Sequence, residues 1–420
     1  MRASFFFQSW LASLLLLLFL VAGANYLVDP YGLFNTPRVT GINEMKPVAG
    51  TRVRVVKPYQ VLQAQPRALI VGNSRPEMGL DPSHPCWSSK PVYNLAVPGA
   101  GVYMQARFAQ HALVATQPNL ILWGVDFVDF LVGPEEDGDP FMLPLLDEAF
   151  EQRLLTSPQQ RTSRVYQWRF LKDHLSSLLS MDALTGSVRT VWGQGNMNSS
   201  NRTGLGFNPA REYLDIIQSE GQGVLFQQKR KQIVATLTRK KWGIYHAGTR
   251  WSREFEALKN AIIRGREQGV RVVIFINPYH AEYLQSIRLT GKWILFENWK
   301  REIVRIASEQ GIGSVWDFSG FDRYSSESLP VEGKHATAMK WFWEPAHYRK
   351  GLGDLMLGRM LEEGCPGGGE VADYGFAVSP MNIDLHLEQG RLAAAEYESV
   401  HVEVVSRLKK LVEEQRWSNP

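Results

Sequence analysis

Two short segments of this 420-residue chain carry residue types able to do nucleophilic chemistry. The first, Leu69-Ile70-Val71-Gly72-Asn73-Ser74-Arg75, is an apolar run, a glycine that permits a tight turn, and a serine just beyond it. A serine hydroxyl is a weak nucleophile until a base takes its proton, and the base needs a third group to hold it in one tautomer. The second segment, Trp343-Glu344-Pro345-Ala346-His347-Tyr348, places a carboxylate three residues before a histidine. In such a relay Ser74 is the nucleophile, His347 the base and Glu344 the orienter. Each segment also has a plain structural alternative: Ser74 suits the cap of a helix after a turn, and His347 suits a surface loop near a helix start. Glu344 and His347 have no neighbours at metal-ligand spacing, so neither a metal nor a cofactor is expected.

For Ser74 to be accessible it must stand at the carboxyl end of a strand, the edge where open α/β sheets build their sites. The pattern around it agrees. Residues Ala68–Val71, Val92–Leu95, Leu120–Val125, Val272–Ile276 and Ser314–Phe318 are short apolar runs that read as buried strands. Between them Tyr103–Ala115, Arg253–Gln268 and Trp299–Gln310 have helical spacing, and strands alternating with helices imply a parallel sheet. The alternation stops between Pro134 and Arg250. That stretch is too long for an ordinary connection and reads as a mostly helical insertion or cap, with helical pieces at Gln167–Leu179 and Ala210–Ser219. Its clusters Lys229-Arg230-Lys231 and Arg239-Lys240-Lys241 are either a solvated helix face or a landing strip for anionic glycan or lipid headgroups. The resulting division is an N-terminal segment 4–28, a connecting segment 29–66, an α/β domain from 67–133 and 251–364, the insertion 134–250, and a helical C-terminal extension 365–420.

Between Arg2 and Asp29 no residue is charged, and Leu11–Val21 is almost wholly apolar. A bilayer core needs about 20 such residues, so one N-terminal transmembrane helix is expected. Ala22-Gly23-Ala24 keeps a cleaved signal peptide open as the alternative, and either way the rest of the chain is exported. The net charge of +4, with scattered basic residues, does not point to nucleic acid. Cys86 and Cys365 are too few for a disulfide framework; they either pair in an oxidising compartment or stand as two buried thiols. His280, after the strand ending at Ile276, is either a substrate contact or a structurally bonded loop histidine. Asp129 is either a partner for Arg75 or a solvated carboxylate.

The early strand–Gly-x-Ser and late carboxylate-x-x-His together resemble the SGNH superfamily of serine hydrolases and acyltransferases, over roughly Arg67–Met360 without the insertion. The resemblance implies a flavodoxin-like three-layer α/β/α sandwich, Ser74 and His347 as catalytic residues, and Glu344 where the family has Asp. It places Gly99, in Pro98-Gly99, in an oxyanion hole with the Ser74 backbone. The third family block has Gly-x-Asn, whereas this chain reads Gly124-Val125-Asp126. An ionised Asp126 cannot donate to an oxyanion, so either Asp126 joins that hole in protonated form, or a donor such as Asn73 or Arg75 substitutes, or the hole is incomplete; Asn73 and Arg75 are also expected as substrate contacts. Tyr26-Leu27-Val28-Asp29-Pro30-Tyr31-Gly32-Leu33-Phe34 and Tyr93-Asn94-Leu95 are similar to membrane-anchored bacterial envelope proteins associated with exopolysaccharide. That similarity implies a single-pass inner-membrane protein with its main domain on the periplasmic side. It also implies an acylated polysaccharide or other envelope substrate, and a membrane acyl-donor protein as partner. The competing expectation is a non-catalytic glycan-binding or scaffold protein on the same fold.

Overall fold

A computed structural model describes residues 2–133, 148–157, 163–239, 243–330, 338–361, 365 and 373–418. Parts of the expected insertion, including Lys240 and Lys241, lie outside the described residues. The chain divides into two units: one of Met1–Ala64, Asp147–Gly204 and Asn208–Glu212, the other of Gln65–Leu146, Leu205–Phe207 and Tyr213–Pro420.

The second unit is α/β. Its strands β1 (Ala68–Val71), β2 (Val92–Asn94), β3 (Leu120–Val125), β4 (Arg271–Ile276) and β5 (Val315–Asp317) are the apolar runs of the sequence. Strands covered on both faces have no polar side, which is why these runs are continuous rather than alternating. They pair in parallel in the order β2-β1-β3-β4-β5. Pairing of Val125 with Ile276 brings the carboxyl ends of β3 and β4 level, while β1 ends at Val71 opposite Trp123, just short of them. The chain turns to one side of β1 with β2 and to the other with β3, and such a reversal opens a crevice at the strand ends. A two-stranded hairpin, β6 (Phe342–Glu344) and β7 (His347–Tyr348), stands apart from this sheet. Residues 365–420 are not wholly helical as expected: β8 (Phe376–Val378) adds antiparallel to β5 and closes that edge of the sheet.

The helices of this unit are α3 (Ser74–Gly79), α4 (Val102–Ala115), α8 (Glu212–Glu220), α9 (Gln222–Arg239), α10 (Arg253–Glu267), α11 (Ala281–Leu289), α12 (Trp293–Glu309), α13 (Lys350–Met360), α14 (Ile383–Val400) and α15 (Val402–Ser418). Helix α3 packs against β7 and α13 at unusually short range. A methyl group at Gly353 would lie 1.9 Å from the Gly79 carbonyl oxygen, and one at Gly79 would lie 1.9 Å from the Tyr348 ring. Only glycine at both positions lets the serine-bearing helix meet the histidine-bearing segment. Gly353→Ala meets backbone that cannot swing aside, so α13 has to retreat. The expected cost is about 1–3 kcal/mol, seen as a lower urea midpoint. The same two segments are clipped covalently by a disulfide between Cys86, after α3, and Cys365, after α13.

The first unit holds α1 (Arg2–Val28), α2 (Val53–Ala64), α5 (Glu148–Glu151), α6 (Tyr166–Leu179) and α7 (Met181–Trp192). Among the described residues one helix is long and apolar enough to cross a membrane, α1 over Ser4–Val28. Residues 29–66, expected to be a connecting segment, instead build much of this unit's interior. Tyr31, Leu33, Val56 and Tyr59 are buried with Tyr166 and Ala183. The Tyr59 hydroxyl donates to Asp173 at 2.8 Å, and Arg153 donates to the same carboxylate at 2.7 Å. The Lys46 ammonium donates to the carbonyls of Val28 at 3.0 Å and Asp29 at 2.7 Å, capping the carboxyl end of α1. The expected insertion is therefore not one body. Its first part belongs with α1, and its later part, α8 and α9, belongs with the sheet.

Candidate active site

The turn that carries Ser74 follows from the end of β1. Gly72 has φ +152°, and a side chain there would meet Pro76 at 2.7 Å and the Gly124 carbonyl at 2.9 Å, so the turn into α3 needs glycine. Asn73 caps α3, its Oδ1 accepting from the Arg75 N–H at 3.0 Å. The cap is thus Asn73 rather than Ser74, and Ser74 at the first helical position is partly exposed. Its Oγ lies 2.7 Å from His347 Nε2.

His347 opens β7, directly across the hairpin from Glu344. Its Nδ1 hydrogen-bonds Glu344 Oε1, and Glu344 Oε2 accepts from the Ala346 N–H at 2.7 Å. With the proton on Nδ1 held by the carboxylate, Nε2 presents its lone pair to the serine hydroxyl. Burial alone would push the Glu344 carboxyl up. His347, Lys229 and the Ala346 N–H together hold it below the ordinary range instead. Glu344 is buried while His347 and Ser74 reach the surface, an arrangement that shields the carboxylate and leaves the serine hydroxyl accessible.

The chain's departure from the third family block has a structural counterpart. Asp126 is completely buried and ion-pairs with Arg75. Its Oδ2 accepts from Asn73 at 2.6 Å and from Asn277 at 3.1 Å. The Arg75 guanidinium also donates through Nε to the Ala346 carbonyl at 2.6 Å, and it lies over the Tyr279 and Tyr283 rings. Burial works against its charge, but Asp126 with both tyrosines more than offsets this and raises its pKa above the ordinary value. Arg75, the residue after Ser74, is therefore joined to the residue before His347. Asp126 is its counter-ion, which corrects the placement of Asp126 in an oxyanion hole.

Two expected substitutes are also spoken for. Asn73 spends one amide hydrogen on Asp126 and the other on Asp129, at 2.9 Å, and Arg75 is enclosed as described. His280, the third expected contact, is buried as the cap of α11. Its Nδ1 accepts from the Glu282 N–H at 3.2 Å and its Nε2 donates to the Glu327 carbonyl at 2.9 Å. Burial lowers its pKa, consistent with a neutral ring. Its own N–H bonds the Pro345 carbonyl at 3.2 Å, so it steadies the hairpin turn between Glu344 and His347. Gly99 lies exposed in the loop after β2 with φ +65°, and that loop is tied to the nucleophile turn by Val97 N–H donating to the Gly72 carbonyl at 3.0 Å.

Asp129 pairs with amides and not with Arg75. It accepts from Asn73 and, at 3.0 Å, from Gln105, which also donates to the Ala100 carbonyl at 2.7 Å. This one carboxyl links the Ser74 turn to the Gly99 loop. Burial and the nearby Asp126 charge raise its pKa to about 7, against the pull of Arg75, Asn73 and Gln105. From the unfolded value of about 4 up to about 7 the folded chain holds the extra proton, so stability falls as pH rises through that window. Asp129→Asn keeps an acceptor without the charge. Its urea midpoint is expected to gain on the parent's between pH 5 and pH 8; a constant difference would refute the assignment.

Residues outside the sequence expectation also serve the site. Lys229 of α9 places its Nζ 3.6 Å from Glu344 Oε1, while its neighbour Arg230 forms a buried pair with Glu282. The basic cluster is therefore not simply a solvated face. Gln222, at the start of α9, donates to the Phe342 and Trp343 carbonyls at 2.8 and 3.0 Å and accepts from Met339 N–H at 2.6 Å. Tyr348 donates to Asn277 at 3.1 Å, extending the Asp126 network to β7. Among the described residues no group of His, Cys, Asp and Glu is arranged to hold a metal ion. Compared with protein-family models and with curated protein sequences, the chain matches none.

Proposed function

We propose that this chain is a membrane-anchored, SGNH-type serine enzyme that cleaves or transfers acyl esters on an envelope or secreted polysaccharide. The single observation that carries this is the Ser74–His347–Glu344 relay, with its 2.7 Å serine–imidazole contact, at the carboxyl edge of a parallel sheet. The strand order β2-β1-β3-β4-β5 is that of flavodoxin-like sandwiches and supports the same assignment.

In the proposed reaction His347 Nε2 takes the Ser74 hydroxyl proton as Oγ attacks the acyl carbonyl. The tetrahedral intermediate collapses with cleavage of the ester C–O bond, and the imidazolium returns the proton to the leaving alkoxide. Water or a sugar hydroxyl then gives its proton to His347 and attacks the acyl-serine, and as the acyl C–Oγ bond breaks the imidazolium returns that proton to Ser74 Oγ. The oxyanion falls to backbone N–H groups, that of Ser74 and, by resemblance, that of Gly99, in place of a side chain from the third block. The extended apolar α1 supports an anchor, with the α/β unit on the periplasmic side of a bacterial inner membrane.

The test is release and transfer of acetate by the full chain in detergent, from an aryl acetate and from an O-acetylated polysaccharide. Acetate release without added sugar marks a hydrolase, and growth of an acetylated sugar product marks a transferase. Equal rates for the parent and Ser74→Ala would contradict both. The engagement of Asp126, Asn73 and Arg75 within the protein favours a second possibility, a glycan-binding scaffold. That role predicts polysaccharide binding unchanged by Ser74→Ala and no acyl release.

A further inference from the structure

The first unit carries an apolar surface that its interior does not use. On α6, Trp168, Leu171, Leu175 and Leu179 are exposed at spacings of three and four residues, forming one stripe along the helix. On α7, Val188 and Trp192 repeat the pattern. Both helices already bury another face, through Tyr166 and Asp173 on α6 and Ala183, Gly186 and Thr190 on α7. A helix in water turns polar residues outward. Here the outward stripes are the apolar ones, with Trp168 at 68% and Trp192 at 83% exposure.

The position of the stripes identifies what covers them. Both helices pack against α1. Asn25, buried in its last turn, donates to the Leu178 carbonyl at 2.8 Å and accepts from the Ser187 hydroxyl at 2.8 Å. At 1.5 Å per residue, Trp168 lies roughly 15 Å along α6 from Leu178, and Trp192 roughly 7.5 Å along α7 from Ser187. The stripes thus lie on helices held at the end of the apolar stretch of α1. The exposed cations Lys172 and Arg189 stand beside them. Tryptophan and flanking basic residues are the composition of surfaces that rest at the acyl–headgroup boundary.

We propose that α6 and α7 form a second membrane contact, lying in the leaflet where α1 emerges and fixing the first unit against the bilayer. This rests on α1 spanning the membrane and is independent of the acyl chemistry. The two native cysteines are bonded to each other, so Trp168→Cys, Leu175→Cys, Trp192→Cys and, as a reference within α1, Leu16→Cys each provide a single labelling site. The full-length variants are labelled with an environment-sensitive fluorophore and reconstituted in phospholipid vesicles containing lipids with a shallow nitroxide on the acyl chain. Quenching at positions 168, 175 and 192, together with quenching at 16, is the expected result. No quenching at 168, 175 and 192 overturns the proposal, whether those positions stay in water or cross-link to a second copy. No quenching at 16 removes its premise and overturns it as well.

Discussion

Ser74→Ala is expected to lower acyl-ester turnover by roughly 10³- to 10⁶-fold while leaving the fold intact. The asymmetry follows from where the serine sits. The cap of α3 is Asn73, so alanine at the next position keeps the cap and suits the first helical turn. The loss to stability is one partly exposed hydrogen bond to His347, about 1 kcal/mol. The loss to chemistry is the attacking atom itself. Circular dichroism and a urea midpoint close to the parent's, beside turnover at background, are the paired readouts. Retained turnover would remove Ser74 from the reaction, and an unfolded variant would contradict its assignment as an accessible residue at a helix start.

Asp126→Asn is expected to destabilise, although it introduces the residue that the third family block carries. Asp126 is fully buried and is the counter-ion of Arg75, whose guanidinium is itself 5% exposed. Asparagine leaves that charge unpaired in the interior, which costs about 3–5 kcal/mol. It also loosens the contact from Arg75 to the Ala346 carbonyl, one residue before the base, so activity should fall and not rise. Thermal and urea unfolding measure the first effect and acyl-ester turnover the second. A variant as stable as the parent with higher turnover would return position 126 to an oxyanion hole.

These two substitutions separate what could be read along the chain from what could not. The nucleophile turn, the carboxylate-x-x-His segment and the five parallel strands were legible because each depends on local spacing: an apolar run, a glycine, a three-residue interval. The Arg75–Asp126 pair depends instead on β1 lying beside β3, so that two charges 51 positions apart meet at the strand ends. Opposite charges at the ends of two adjoining strands were the available signal, usable only once their adjacency is assumed. His280 is polar and follows a strand end, as a substrate contact would, yet the α11 N–H and the Glu327 carbonyl consume both its nitrogens. Lys229 was hidden by its neighbours, since a basic triplet on a helix looks uniform until one member faces a buried carboxylate. The first unit was the least legible part. Residues 31–59 and 166–183 are individually short and irregular in pattern, and their shared core appears only when the two are folded together.

The most direct test of the Ser74–His347 assignment is covalent labelling of the full chain with a fluorophosphonate, followed by peptide mass spectrometry. An adduct on Ser74 that disappears in His347→Ala, with that variant still folded, is the result expected of a serine activated by its imidazole. A folded parent protein that takes no adduct at Ser74, or one labelled equally well without His347, would contradict it.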